Sequence, residues 1–467
     1  MSSATVAIVG AGLVGALNAV YFAQRGWHVD LYELRPDMRL EENKRNQRGK
    51  SINLALSERG LSALRATGLG LEDIILEASV PMRARMVHVG DKQLSQAYSV
   101  HGEHINAVDR ARLNELLVDA AEKMDNVSLH FEHRLKSIDF EKNQLTFENG
   151  SVHHADLIIG ADGAYSRTRA QIMRRVRMDY QQEYIDTGYC ELSMPPVIGK
   201  DGQPEFALDP NHLHIWPRHT FMLIALPNPD RTFTCTLFMP FKMFEEIDTK
   251  EKLMAFFKKH FHDAIPLIGE ECIIDDYFTN PRGSLITIKA SPHNLADKAV
   301  VIGDAAHAMV PFYGQGMNCG FQDVEVLHQV LDQYKVKPDN LSSLGQALET
   351  YSEKRVKDAH AICDLAMYNH YEMRSAVTSL RFLARKKIEG LIHLVFPRLI
   401  VPLYTMVSFT TLPYSETIAR WHRQTFWLNV AMGTTSFIAV GTAVGLGLRA
   451  HKDTIRDVIR RSIEQYL

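Results

Sequence analysis

Cysteine is scarce: five residues in 467, odd in number and scattered (Cys190, Cys235, Cys272, Cys319 and Cys363), with no C-x-x-C pair. That argues against a disulfide framework and a zinc site, and for reduced thiols in a cytosol-facing protein. No charge of one sign dominates either. The 52 basic residues stand against 55 acidic ones, a formal net charge of −3, so nothing signals a nucleic-acid partner. Internal repeats and low-complexity tracts are missing. The N-terminus runs straight into an apolar β-branched stretch, which leaves no room for a signal or transit peptide. A chain of this length predicts two or three domains with ample core.

Long hydrophobic runs are also rare, with one exception. Phe426 to Leu448 is free of charge, with Asn429 its only strongly polar residue. Its 23 residues would reach roughly 34 Å as a helix, enough for a bilayer core. Trp421 and Trp427 stand near one end, Arg420 and Arg423 before it, and Arg449 and Lys452 after it, as interfacial anchors do. Four glycines make it a mediocre helix in water. A buried core helix is the competing reading. The expectation is a membrane-spanning helix.

What organises the chain is its first fifteen residues. Thr5-Val6-Ala7-Ile8-Val9 reads as a strand buried on both faces of a parallel sheet, Gly10-Ala11-Gly12-Leu13-Val14-Gly15 as a tight turn, and Ala16 to Gln24 as a helix. This is G-x-G-x-x-G in the context that gives it meaning. Gly10 permits the turn, Gly12 lets backbone approach a pyrophosphate, and Gly15 lets the helix lie close to the sheet. A second strand, His28 to Tyr32, ends on Glu33. A carboxylate there accepts from two ribose hydroxyls and repels a 2′-phosphate, so the site suits FAD or NAD(H) and disfavours NADPH.

Two later turns repeat the design of buried strand, glycine and acid. They are Asp162-Gly163-x-x-Ser166-x-x-Arg169, after the strand Ala155 to Ile159, and Gly303-Asp304-Ala305-Ala306-His307 with Pro311, after Lys298 to Ile302. In a doubly wound sheet all three converge on one extended cofactor. The Asp304 carboxylate suits a ribityl hydroxyl, which only a flavin offers. Gly314-Gln315-Gly316-Met317-Asn318 would then start a helix whose amides face the flavin pyrimidine end. Taken singly, each acid–glycine pair is equally ordinary turn chemistry.

Elsewhere, Gly49 to Leu56 reads as a loop entering a helix. Pro81 to Val89 alternates as a strand, with Arg83 and Arg85 on one face, and Asp109 N-caps a helix. Val127–Phe131 and Leu145–Phe147 read as strands of a meander. From about Gln181 to Leu285 the period is 2, an antiparallel sheet; beyond Ser342 the pattern is helical. The expected fold is α/β: a Rossmann-type FAD-binding domain, an antiparallel β-sheet substrate domain, and a C-terminal helical layer ending in a transmembrane helix. The boundaries are 1–180 and 291–335 for the FAD domain (with 81–100 contributing to the substrate site), 181–290 for the sheet, 336–425 for the helices, 426–448 for the span and 449–467 for a basic tail.

These motifs, in this order, resemble the single-component aromatic flavoprotein hydroxylases of the para-hydroxybenzoate hydroxylase fold, over nearly the full length. Within them the chain is similar to the kynurenine-hydroxylating branch. The discriminating stretches are Ser51–Ser57, Pro81–Met86, Leu213–Pro217, Met367–Asn369 and Pro402–Met406. Lys50 stands where that branch leads one to expect arginine, keeping the charge and losing the planar fork.

The resemblance implies hydroxylation of L-kynurenine to 3-hydroxy-L-kynurenine with NADPH and O2, through a flavin C4a-hydroperoxide. No protein nucleophile and no metal are expected, because the flavin carries the difficult step. It implies that Arg85 and Tyr98 hold the amino-acid carboxylate, with Asn369 and Tyr404 completing the grip. Some of Leu213, Ile215, Met222, Ile224, Leu226 and Phe238 should line an apolar slot, with Phe312 opposite. Read without the family, Arg85 is as well a strand charge or ion pair, Asn369 a surface amide and Tyr404 a core residue. The FAD site is expected at Gly10, Gly12, Val14, Gly15, Glu33, Arg35, Ala55, Arg110, Leu135, Asp162, Asp304, Gly316, Met317 and Asn318, with His307 structural. No second G-x-G-x-x-G appears, as in a family with no separate nicotinamide domain. The family's eukaryotic members imply the mitochondrial outer membrane, with the catalytic part facing the cytosol. Two other readings remain: a flavin monooxygenase acting on a lipid-like quinone or sterol precursor, and a non-enzymatic tethered flavoprotein.

Overall fold

The computed structural model describes residues 3–44, 54–375, 377 and 379–450. Lys50, the first three residues of the Ser51–Ser57 stretch and the basic tail from 451 onward lie outside the described residues. Two compact units result, Met1–Ser415 and Glu416–Leu467.

The first unit is built on two sheets. One has six strands in the order Asn294–Leu295, Ala299–Val301, Leu157–Gly160, Thr5–Val9, His28–Tyr32 and Val127–His130. All its pairings are parallel except that of Asn294–Leu295 with Ala299–Val301. These strands are short and largely apolar because both faces are covered, one by helices and the other mainly by a three-stranded meander, so neither face needs polar side chains. Leu13–Gln24, Arg110–Glu122 and Gly316–Gln333 pack on one side through a core that includes Phe22, Leu113, Leu117, Phe321 and Leu327. Asp109 caps Arg110–Glu122, its carboxylate accepting from Arg112 N at 2.8 Å. The Val127 strand is therefore no part of a meander. It closes the edge of the parallel sheet, while Leu135–Asp139, Gln144–Phe147 and Val152–His154 form a separate three-stranded meander.

The second sheet has seven strands, ordered Gly283–Ser291, Asp179–Met194, Phe233–Pro240, Phe221–Pro227, His212–Arg218, Ala84–Val89 and Lys92–Ala97. It is antiparallel except where His212–Arg218 runs parallel to Ala84–Val89. The segment expected as one strand over Pro81–Val89 is broken. Val80–Met82 belongs to another small sheet and Ala84–Val89 to this one. Arg83 falls at the break and is exposed, whereas Arg85 is 3 % exposed, so the two do not share a face.

One expectation is overturned. Among the described residues no helix is long and apolar enough to cross a membrane. The backbone of Phe426–Leu448 is helical, but as the continuation of a 37-residue helix, Tyr414–Ala450, whose first turns carry Glu416, Arg420, His422 and Arg423. The side chains of residues 432–441 and 443–450 lie outside the described ones. Membrane attachment through this helix is accordingly withdrawn.

Candidate active site

The three glycine–acid turns sit at the carboxyl ends of three adjacent parallel strands: Thr5–Val9, Leu157–Gly160 and Ala299–Val301. Gly10 adopts φ 106°. A Cβ on it would lie 2.5 Å from the Ala161 carbonyl oxygen, and a Cβ on Gly15 only 1.9 Å from that of Gly10. Both positions therefore require glycine on steric grounds. Gly12 differs: a Cβ there would meet nothing within 4 Å, so the backbone stays open to a ligand at the N-terminus of Leu13–Gln24. Val14 packs beneath Gly303 and Gly320, joining the first and third turns.

The acids around this cleft do different work. Glu33 is 8 % exposed; its carboxylate accepts from Ala11 N at 3.1 Å and from Arg35 Nε at 2.7 Å. The Asp162 carboxylate is consumed locally, accepting from Ser166 Oγ and from Thr168 N and Oγ1. Asp304 is solvent-accessible, yet the protein atoms crowded around it push its carboxyl above the ordinary range, while Arg110 and His307 oppose the shift. Gly316 and Met317 form the first turn of Gly316–Gln333. Asn318 donates to the carbonyls of Ala55 and Gly314 at 2.8 Å and accepts from Ser57 N at 2.9 Å. Leu135 is 3 % exposed and packs in a hydrophobic cluster with Tyr32 and Phe147, which leaves only its backbone for a cofactor. An open Gly12, a carboxylate at the end of the second strand and a solvent-accessible acid at the third turn fit an extended FAD.

His307 belongs behind this cleft. Its Nε2 meets Asp323 Oδ2 at 2.6 Å; that oxygen also accepts from Gly303 N at 2.8 Å, and Arg355 Nε donates to the other oxygen at 2.7 Å. Burial alone would depress His307, but the Asp323 carboxylate outweighs it and raises the imidazole well above its usual range. The histidine fixes the turn.

A second cavity opens from Gly314. Its lining includes Ala55, Arg85, Tyr98, Leu213, Ile224, Leu226, Phe238, Phe312, Tyr313, Met373 and Tyr404. Ile215 and Met222 are buried outside this lining. Phe238 meets Phe312 with ring centroids 5.0 Å apart, and Phe312 stacks on His370 at 4.0 Å. At the other end Tyr98 stacks on Tyr404 at 4.7 Å, and the Arg85 guanidinium carbon lies 5.1 Å from the Tyr404 centroid. Arg85 Nε and the Tyr98 hydroxyl are buried without a hydrogen-bond partner. Burial opposes the Arg85 charge, yet Glu372 keeps it protonated; burial raises the Tyr98 phenol far above its ordinary value, so it stays a neutral donor.

Asn369 is brought close without lining the cavity. Its amide donates to the Phe312 carbonyl at 2.6 Å, holding that wall. Glu372, which the sequence reading missed, pairs with Arg85 at 2.7 Å and with Lys386 at 3.6 Å. Burial raises its carboxyl, but Arg85 and Lys386 prevail and hold it ionised. The available signal was its spacing: Glu372 follows Asn369 by three residues on the helix Leu344–Arg374, and so shares its face.

The comparisons agree with this geometry. A family described as an FAD-binding domain matches residues 3–366. Kynurenine 3-monooxygenase of Caenorhabditis briggsae is 45 % identical over 466 residues, covering 95 % of this chain and 98 % of its own. That of Sus scrofa is 43 % identical over 433 residues, covering 92 % and 88 %. Among solved structures, 2-methyl-3-hydroxypyridine-5-carboxylic acid oxygenase superposes with a TM-score of 0.64 at 21 % identity, covering 81 % of this chain and 95 % of its own. At that identity it speaks for the fold alone. The chain belongs to the kynurenine 3-monooxygenase family, on an α/β FAD-binding monooxygenase fold.

Proposed function

We infer that this protein is an FAD-dependent monooxygenase that hydroxylates L-kynurenine with NADPH and O2. The observation that carries the substrate reading is the pair of buried, unpartnered donors, Arg85 Nε and the Tyr98 hydroxyl, at one end of an aromatic cavity. Buried polar groups are normally satisfied, so two orphans on one wall call for an acceptor that arrives with the substrate. A carboxylate is that acceptor, and the aromatic walls suit the ring that follows it.

When bound, FAD supplies the redox chemistry, passing electrons from NADPH to O2 for ring hydroxylation. In our reading Gly10, Gly12, Gly15, Glu33, Arg35, Arg110, Asp304, Gly316, Met317 and Asn318 hold it, with Val14 and Asp162 shaping the turns and Ala55 and Leu135 contributing backbone. Arg85 and Tyr98 fix the carboxylate, Tyr404 backs both, and Asn369 acts through Phe312. Phe238 and Phe312 orient the ring and exclude water, which strengthens every polar contact inside. A lipid-like substrate is disfavoured, because it would leave the buried guanidinium with an unmatched donor.

The test is NADPH oxidation by the purified protein with and without L-kynurenine, with chromatography of the product. Stimulation with formation of 3-hydroxykynurenine is expected; bound FAD without stimulation would favour the non-enzymatic flavoprotein. A mitochondrial location, implied by the family resemblance, belongs to this reading and is checked by fractionation.

A further inference from the structure

Arg59 is fully buried and, among the described residues, has no carboxylate within ion-pair distance. A lone buried cation is costly unless its donors are all used. Here they are used on one segment. Nε donates to the Val407 carbonyl at 3.0 Å, and Nη2 to those of Met406 at 3.4 Å and Leu412 at 2.5 Å. Nη1 donates to Gln322 Oε1 at 3.1 Å, and the guanidinium lies 3.9 Å from the Tyr414 ring centroid. Met406 and Val407 belong to the last turn of the short helix Leu403–Ser408, whose terminal carbonyls have no intrahelical partners and carry the negative end of its dipole.

The same helix carries Tyr404, stacked on Tyr98 and facing Arg85. On the other side, Gln322 lies on Gly316–Gln333, the helix that begins at the third cofactor turn, and its Nε2 donates to the Thr411 carbonyl at 3.2 Å. Arg59 itself lies in the first turn of the helix Glu58–Arg65, whose N-cap residue Ser57 donates its backbone N–H to Asn318 Oδ1. It is thus the bridge between the cofactor layer and the segment bearing one wall of the substrate cavity.

We propose that Arg59 is a positioning residue for the reaction: it caps the Leu403–Ser408 helix and so sets Tyr404 against Tyr98 and Arg85. The proposal rests on the reading that these three residues hold the substrate. In the full-length protein, Arg59→Met should raise the KM for L-kynurenine at least roughly 10-fold, keep FAD bound one per chain, and speed hydrogen exchange in 403–412 but not in Gly316–Gln333. Arg59→Lys should recover part of the KM, since an ammonium restores charge without the fork. Tyr414→Leu, which removes the ring face together with the hydroxyl's bond to Gln315 Oε1, should move KM in the same direction by less. Combined with Tyr404→Ala, Arg59→Met should add little to KM, because the part it positions is gone.

An unchanged exchange rate in 403–412, or fully additive KM effects, would overturn the positioning role. So would parallel loss of FAD, which would place Arg59 in the cofactor site. If Arg59→Met does not fold, wild-type KM in both Arg59→Lys and Tyr414→Leu overturns it equally. Faster exchange in 403–412 together with a normal KM in Tyr404→Ala would sink the substrate-site reading instead, leaving the capping of the helix established.

Discussion

Arg85 Nη1 lies 2.7 Å from Glu372 Oε1, while its Nε, on the same buried guanidinium, has no partner. One edge of the planar fork is thus held by the protein and another is left for a ligand. Arg85→Ala removes a charge-assisted bond worth about 1.5–3 kcal/mol, and leaves Glu372 with Lys386 alone at 3.6 Å. The kcat/KM for L-kynurenine should fall by roughly 10-fold to more than 100-fold. Arg85→Lys should recover only part of it. FAD content should not change, because the cofactor turns lie on other elements. Flavin occupancy and kinetics on the same preparations check both statements; lost flavin would move Arg85 into the cofactor site.

Tyr98 allows a finer cut. Its hydroxyl is buried and unpartnered, while its ring is stacked on Tyr404. Tyr98→Phe keeps the stack and deletes only the donor. The substrate should bind more weakly by about 0.5–1.5 kcal/mol, roughly 2- to 10-fold in kcat/KM. The free protein should melt at the same temperature or slightly higher, since a buried unpaired group has been removed. A lower melting temperature would mean that the hydroxyl already has a structural partner.

What was legible in the sequence was local. Gly10, Gly12, Gly15 and Glu33 stand within one strand–turn–helix–strand unit, so spacing alone conveys their geometry. Strand partners were not legible. Val127–His130 is only four residues of alternating character, and nothing in such a run says whether its neighbour is a meander strand or a parallel edge. The break at Arg83 was hidden because Pro81–Val89 alternates through it; only the change of sheet after Met82 separates Arg83 from Arg85. Glu372 escaped because its meaning comes from Arg85, 287 residues away. The membrane span read from Phe426 rested on an absence of charge; no helix of the described residues is long and apolar enough to cross a membrane, and most side chains of that stretch lie outside them.

The second and third glycines of the first turn separate folding from binding. Gly15→Ala places a methyl 1.9 Å from the Gly10 carbonyl, so the turn itself must shift, and both melting temperature and FAD content should fall. Gly12→Ala meets nothing within 4 Å, so the apoprotein should melt as the wild type does. The same methyl would stand where backbone must approach a pyrophosphate, so FAD affinity should drop at least roughly 10-fold. Flavin titration and melting of both apoproteins decide it. Full FAD affinity in Gly12→Ala would remove that glycine from the cofactor contact.

The last prediction concerns acid. His214 is 1 % exposed; its Nε2 donates to the Asp209 carbonyl at 2.9 Å, leaving Nδ1 to accept from His88 at 3.0 Å. Burial pulls its pKa down from 6.5 to about 4, with the Asp209 carbonyl opposing. A base whose folded pKa lies below its unfolded one contributes stability above the unfolded value and loses it as pH falls through the folded one. The window is therefore about pH 6.5 down to about 4, and the contribution is on the order of 3 kcal/mol. His370, also lowered to about 4 by burial, acts in the same sense. His307 runs the other way: raised by Asp323, it stabilises fully below its unfolded pKa and loses that contribution as pH rises through its folded one. Urea unfolding from pH 4 to 7 should show stability rising with pH, and His214→Gln should make that slope shallower. An unchanged slope would show that His214 does not enter the folded state as a buried neutral ring.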